Sequence, residues 1–322
     1  MTCPDDPDGG WLSEGWMHAM LDRLRDTIER HCIAPTTETA IPGLLLFRAD
    51  APTTPMSVVY EPRFCVIVQG SKQVMLCDQI FDYDASKYMV TAVDLPVCGH
   101  ITHASPEAPY LALCLTLDPA DIADVLLELR DAPEDLSHQC PRCLTVSALT
   151  RNVLDPVTRL VGLLDTPEDI VFLRRLAVRE LLYRLLQGPQ GSVLRQIATA
   201  GSNLSHLNRA IAWIRDHYTQ AFDIAEIARL AGMSPSSFHR HFRAATMMSP
   251  LQYRTRLRLQ EARRQLMGNA VDAAEVGFAV GYDSPSQFSR EYRRMFGNPP
   301  ARDAQRIRAE NAVEARVLEA VV

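Results

Sequence analysis

A ten-residue pattern occurs twice near the C-terminus at an offset of 50, and it limits what this part of the chain can build: SPSSFHRHFR starts at Ser234 and SPSQFSREYR at Ser284. Six positions are identical, and Phe242 answers Tyr292 as an aromatic. Upstream, DIAEIA from Asp223 corresponds to DAAEVG from Asp272; downstream, Pro250 corresponds to Pro300. A repeat of this length marks one supersecondary unit built twice.

Each copy reads as helix, glycine turn, helix. Asp223 and Asp272, each with a Glu three residues later (Glu226, Glu275), have the form of a capping box. Ile224, Ile227, Ala228 and Ala231 share one helical face, Gly232 supplies the turn, Ser234 suits an N-cap and Pro235 the first helical position. Phe238 and Phe242 then point inward, leaving Ser236, His239, Arg240 and Arg243 outward. In the second copy Gly281, Ser284, Pro285, Phe288 and Tyr292 take the same places, and Ser286, Gln287, Ser289, Arg290 and Arg293 are exposed. Small, polar and arginine side chains on a protruding helix match base edges and flanking phosphates. The alternative is a helical-hairpin bundle with solvated arginines; duplication of caps, turns and outward arginines favours DNA.

Charge supports that choice once it is divided. All 322 residues together carry 39 acidic and 33 basic side chains, net −6, which taken whole disfavours a polyanionic partner. Residues 205–310 hold 16 Arg, no Lys and 10 acidic residues, net +6, so the remainder carries −12. The chain is a charge dipole of ordinary globular composition, 47% hydrophobic and 22% charged, and its length suits two domains. No apolar run approaches the ~20 residues that span a bilayer, and MTCPDDPDGGW lacks the basic start and apolar stretch of a signal peptide. A cytoplasmic protein without a membrane partner is expected, its eight cysteines being thiols rather than a disulfide framework.

The N-terminal half has a different texture. Trp16, Met20 and Leu24 have helical spacing; from Ile41 to Leu117, runs such as LLLF, MSVVY, FCVIVQG, QVMLC, IFDY, YMVTAV and YLALCLTL are separated by breakers, as in an antiparallel sandwich or barrel. After Asp118-Pro119 the strands are expected to stop, with helices over ADIADVLLELR and EDIVFLRRLAVRELLYRLLQ. Breakers between Gly188 and Asn203 place a domain boundary near residue 200.

IARLAGMSPSSFHRHFRAATMMSPLQYRTRLRLQEARRQL with VGFAVGYDSPSQFSREYRRMFGNPP resembles the DNA-binding domain of AraC/XylS family transcriptional regulators. EPRFCVIVQGSKQVML, FDYDASKYMVTAVDLPV and ASPEAPYLALCLTLDPADIADVLLEL resemble the N-terminal effector domain of one subgroup. The resemblance implies an α+β chain. Residues 1–200 form a cupin-like antiparallel β-barrel with flanking helices, for effector binding and dimerisation; 201–310 form an all-α domain with two helix-turn-helix units; 311–322 are a helical tail. It further implies two recognition helices joined by a linker helix at about Pro250 to Met267, entering successive major grooves. Ser236, His239, Arg240, Ser286, Gln287, Ser289 and Arg290 are then the base-reading candidates. One departure is visible: a glycine usual after the first recognition helix is replaced within Met247-Met248. The implied partners are promoter or operator DNA, an unidentified small-molecule effector, a second copy of the chain and, for an activator, RNA polymerase. Activation is the commoner family behaviour.

Two other chemistries remain open. A cupin metalloenzyme would need convergent ligands; His100, His103 and Glu107 are nearest, but spacing on a strand sends the two imidazoles to opposite faces. Cys140 and Cys143 form a Cys-x-x-Cys beside His138 and Arg142, a redox candidate or half of a zinc site. Cys65, Cys77, Cys98 and Cys114 are placed on strands, where thiols are usually small apolar side chains but could also sense oxidants or electrophiles. No catalytic residue, resident metal or cofactor is assigned.

Overall fold

The computed structural model describes residues 10–129, 142–199, 201–268 and 272–310. Helix α1 (Gly10–His31) leads into nine strands: β1 (Thr36–Glu38), β2 (Leu44–Ala49), β3 (Met56–Tyr60), β4 (Arg63–Gln69), β5 (Ser71–Leu76), β6 (Gln79–Asp84), β7 (Lys87–Thr91), β8 (Leu95–His103) and β9 (Tyr110–Thr116). After α2 (Pro119–Leu129) a tenth strand, β10 (Leu144–Ala148), precedes α3 (Arg151–Gly162), α4 (Ile170–Gln187) and α5 (Gly191–Ala198). All strand pairs are antiparallel. One sheet runs β1-β2-β9-β4-β7-β10 and the other β3-β8-β5-β6. Strand β4, RFCVIVQ, is buried along its five central residues because α1 lays Leu24 and Ile28 near the face that turns away from the second sheet. Sheets covered on both faces select such continuous apolar runs.

The expected α+β architecture holds, with three local corrections. Strands do not stop at Asp118-Pro119: Leu144–Ala148 returns to pair with β7, Val146 opposite Met89. Its five residues carry the β-branched Thr145 and Val146 but are too short to stand out in sequence. Cys77 is not on a strand; it begins the two-residue turn between β5 and β6 at φ 55, a left-handed position typical of tight hairpins. The breaker-rich stretch before residue 200 itself forms α5, which buries Val193, Leu194 and Ile197.

The helical part comprises α6 (Asn203–Asp216), α7 (Ile224–Leu230), α8 (Pro235–Thr246), α9 (Pro250–Gly268), α10 (Ala273–Ala279), α11 (Pro285–Phe296) and α12 (Pro300–Glu310). One apolar core runs unbroken from α1 and the sheets through α5 into the first helix-turn-helix unit, including Leu204, Ile227, Phe238 and Phe242. The second unit has its own core around Val276, Tyr282, Phe288 and Tyr292. Residues 311–322 lie outside the described residues.

Candidate nucleic-acid interface and effector cavity

Helix α8 starts where the sequence places it. The Ser234 hydroxyl accepts from the Ser237 backbone N–H at 3.3 Å, and Pro235 opens the first turn. Phe238 and Phe242 are fully buried, stacked edge-on with ring centres 5.4 Å apart. That contact turns Ser236, His239, Arg240 and Arg243 to solvent. Helix α11 repeats the device: Ser284 caps Gln287, Phe288 and Tyr292 are buried, and Ser286, Gln287, Arg290 and Arg293 are exposed, with Ser289 half-buried. Among the described residues none of Arg240, Arg243, Arg290 and Arg293 pairs with a carboxylate, so all four guanidiniums are available to phosphates or base edges. Gln287 donates to Glu291 at 3.2 Å, which steadies it along the helix.

The upstream caps differ from the reciprocal box. Asp223 accepts from the Ala225 N–H at 3.0 Å, Glu226 turns to Arg229, and Asp272 makes no side-chain cap bond. Met247 occupies the position that glycine takes in the second unit: it closes α8 at φ 62, as Gly297 closes α11 at φ 81. The exit turn therefore survives the missing glycine, at a cost of about 1 kcal/mol for a left-handed non-glycine residue.

Helix α9 fixes the two units relative to each other. Arg258 donates to the carbonyls of Tyr218 (2.6 Å) and Thr219 (2.9 Å) in the first unit and stacks over the Tyr282 ring of the second. Gly281, at φ 92, fits because it has no side chain: a Cβ there would lie 2.1 Å from the Thr219 carbonyl oxygen. Asp303 is wholly buried and accepts from Arg263 (3.0 Å), Arg306 (3.1 Å) and the Tyr292 hydroxyl (3.0 Å), tying α9, α11 and α12 together.

The same linker helix docks on the sheet domain. Tyr253 donates to the Asp94 carbonyl, Gln260 to the Val97 carbonyl at 3.1 Å, and Arg263 to the Pro55 carbonyl at 3.3 Å. Arg215 of α6 forms an ion pair with the Asp94 carboxylate. Beside these contacts is a cleft of about 270 Å³ between the domains, walled by β3 on one side and by Tyr218, Leu257 and Met267 on the other.

Comparison with known proteins fits this geometry. The AraC-type transcriptional regulator N-terminus family matches residues 40–193, and a helix-turn-helix domain family matches residues 227–306. The chain belongs to the AraC/XylS family. It is 32% identical over 153 residues to the HTH-type transcriptional activator RhaS of Salmonella agona, covering 47% of this chain and 54% of that protein. RhaS of Salmonella typhimurium is 31% identical over the same length, with the same coverage. The chain thus spans about half the length of the curated relatives it matches. Its fold is similar to that of unsaturated fatty acid-bound ToxT from Vibrio cholerae, with a TM-score of 0.51 at 10% identity, covering 81% of this chain and 94% of that one.

In this family member the two sheets enclose a second cavity, of about 50 Å³. Tyr60, Tyr83 and Tyr110 line it with Lys72, Arg63 and Arg48, and no Asp or Glu contributes to the wall. Lys72 is half-buried, its Nζ 5.3 Å from the centre of the Tyr60 ring, and among the described residues it has no carboxylate partner. Gly99 makes the space: a Cβ there would meet the Lys72 Cε at 3.3 Å and the Tyr60 hydroxyl at 3.4 Å. Burial pushes the phenols of Tyr60 and Tyr83 up, so they remain neutral hydrogen-bond donors. Sequence reasoning missed this set. The available signal was Lys72 lying in phase with the inward Val74 and Leu76 on β5.

The other sequence candidates are dispersed. His100 lines the cavity, whereas His103 is exposed and bonded to the Ser71 hydroxyl at 2.6 Å, and Glu107 is exposed. No group of three metal-ligating side chains occurs among the described residues. Cys143 is buried, and its N–H reaches the Ala245 carbonyl at the end of α8; Cys140 lies outside the described residues. Cys77 contacts the Met247 carbonyl at 3.5 Å, and Cys98 is half-buried on β8. No helix among the described residues is long and apolar enough to cross a membrane.

Proposed function

We propose that this chain is a sequence-specific DNA-binding transcription regulator in which residues 1–200 sense a small molecule and residues 201–310 read DNA. The observation that carries the reading is the pair of equivalently capped helices, α8 and α11, each presenting two arginines without carboxylate partners on its open face. Arg240 and Arg290, with Ser236, His239, Ser286, Gln287 and Ser289, are assigned to base edges; Arg243 and Arg293, a turn further along, are assigned to phosphates. The cavity between the sheets is the effector site: Arg48 and Arg63 already pair with Asp50 and Glu61, but Lys72 has no carboxylate partner among the described residues, and one such cation among tyrosines and apolar side chains suits an anionic small molecule with an apolar body. Regulation would pass through the docking of α9 on β3 and β8; similarity to RhaS, named as a transcriptional activator, supports activation, for which RNA polymerase would be a further partner.

Homodimerisation is assigned to α4. Val171, Phe172 and Leu176 are 81%, 77% and 63% exposed, an apolar stripe that a second copy would cover. Selection of binding sites from a random duplex pool with purified protein tests the central reading. Enrichment of one motif is expected; a pool left without enrichment overturns it.

A further inference from the structure

Two thiols meet inside the sensor. Cys65 and Cys114 are direct partners on the two central strands of the six-stranded sheet, β4 and β9, and their sulfurs are in hydrogen-bonding contact at 2.7 Å. Facing residues of an antiparallel pair have Cα atoms ~4.5–5.5 Å apart, within the range a disulfide spans. Both thiols line the cavity between the sheets, so a small solute admitted there would reach them. Arg63, two residues before Cys65 on the same strand, and Lys72 from the opposite sheet bring positive charge to the pair.

The two sulfurs are not equivalent. The hydrogen bond with Cys65, and then Arg63 and Lys72, hold the Cys114 thiol below the usual range, whereas burial pushes the Cys65 thiol well up. A thiol held low facing one held high is the combination that stepwise disulfide formation uses. Of the Cys-x-x-Cys motif, Cys143 is buried at the end of α8, and Cys140 lies outside the described residues.

We propose that Cys65 and Cys114 form a two-thiol redox site in the sensor cavity, converted to a disulfide by a small hydroperoxide. Cys114 first gives its proton to solvent, and the thiolate attacks one peroxide oxygen. The O–O bond breaks, the alkoxide or hydroxide leaves and is protonated, and Cys114 becomes a sulfenic acid. The Cys65 sulfur then attacks Cys114 Sγ, the S–OH bond breaks, and hydroxide departs with the Cys65 proton as water. Two thiols lose two electrons, and one peroxide gains two. This site is additional to effector binding, and its readout does not depend on DNA.

The test uses the full-length protein, reduced and then treated with one equivalent of hydrogen peroxide. Remaining thiols are alkylated, and the protein is digested without reductant for peptide mass spectrometry. A Cys65–Cys114 linked peptide is expected as the dominant disulfide, with both residues losing alkylation together. In Cys65→Ser, reaction should stop at a sulfenic acid on Cys114 that dimedone traps. Wild-type protein whose Cys65 and Cys114 stay alkylated while other cysteines oxidise, or whose Cys65 links elsewhere, overturns the proposal without recourse to any variant.

Discussion

The Tyr253 hydroxyl, on the helix joining the two helix-turn-helix units, donates to the Asp94 backbone carbonyl of the sheet domain across 2.8 Å. Tyr253 is fully buried and also packs edge-on against Phe242 of the first recognition helix, ring centres 5.5 Å apart. One side chain thus belongs both to the core of the first helix-turn-helix unit and to the joint with the sheet domain. Tyr253→Phe keeps the ring contact and leaves a carbonyl unsatisfied, so it should cost about 0.5–1.5 kcal/mol. Thermal denaturation checks this; an unchanged melting temperature would show that the bond contributes nothing.

Gly281 and Gly297 both adopt left-handed backbone, yet their surroundings differ. A Cβ at Gly281 collides with the Thr219 carbonyl, whereas one at Gly297 meets nothing within 4 Å. Gly297→Ala should therefore cost about 1 kcal/mol from backbone conformation alone, and Gly281→Ala at least ~3 kcal/mol because the second unit must shift against the first. Denaturant titration of the two variants compares them directly, and equal losses would contradict the close approach.

Phosphate and base contacts respond differently to salt. Arg243→Ala should weaken binding to all duplexes similarly and lower the slope of log K against log salt by about 1. Arg240→Ala should instead cost about 1–3 kcal/mol on the selected site and relax preference at one base position. Binding isotherms at several salt concentrations separate the two behaviours.

Asp165 bonds to Arg30 at 2.7 Å and to His31 at 2.9 Å, tethering α1 to the turn after α3. The hydrogen bond with His31, reinforced by Arg30, holds its carboxyl below the usual carboxylate range. A carboxyl whose folded value is depressed stabilises fully above its unfolded value, near ~3.9 for Asp, and the contribution disappears as pH falls through the folded value. Melting temperature should therefore fall on acidification below about pH 4, and less so in Asp165→Asn. A variant with the same acid dependence as wild type would remove Asp165 from the account.

The reader was legible in sequence because its determinants are local. Ser234, Pro235, Gly232 and the Phe238–Phe242 spacing act within a few residues, and the second copy repeats them. The departure at Met247 was equally visible, although only the backbone reveals that a methionine takes the left-handed turn there. The sensor cavity was not legible. Whether Lys72 and Arg63 meet depends on which faces of two sheets oppose, and Cys65 meets Cys114 through a register set 49 residues apart. Strand β10 was hidden because it returns to β7 only after a helix has intervened.

Base-resolution footprinting and methylation interference on the selected site test the central claim most directly. With two recognition helices in successive major grooves, wild-type protein should protect two patches on one DNA face, about one helical turn apart. Arg240→Ala should relax contacts in one patch only, and Arg290→Ala in the other. A single protected patch, or both variants altering the same base positions, would contradict a reader built from two equivalent helices.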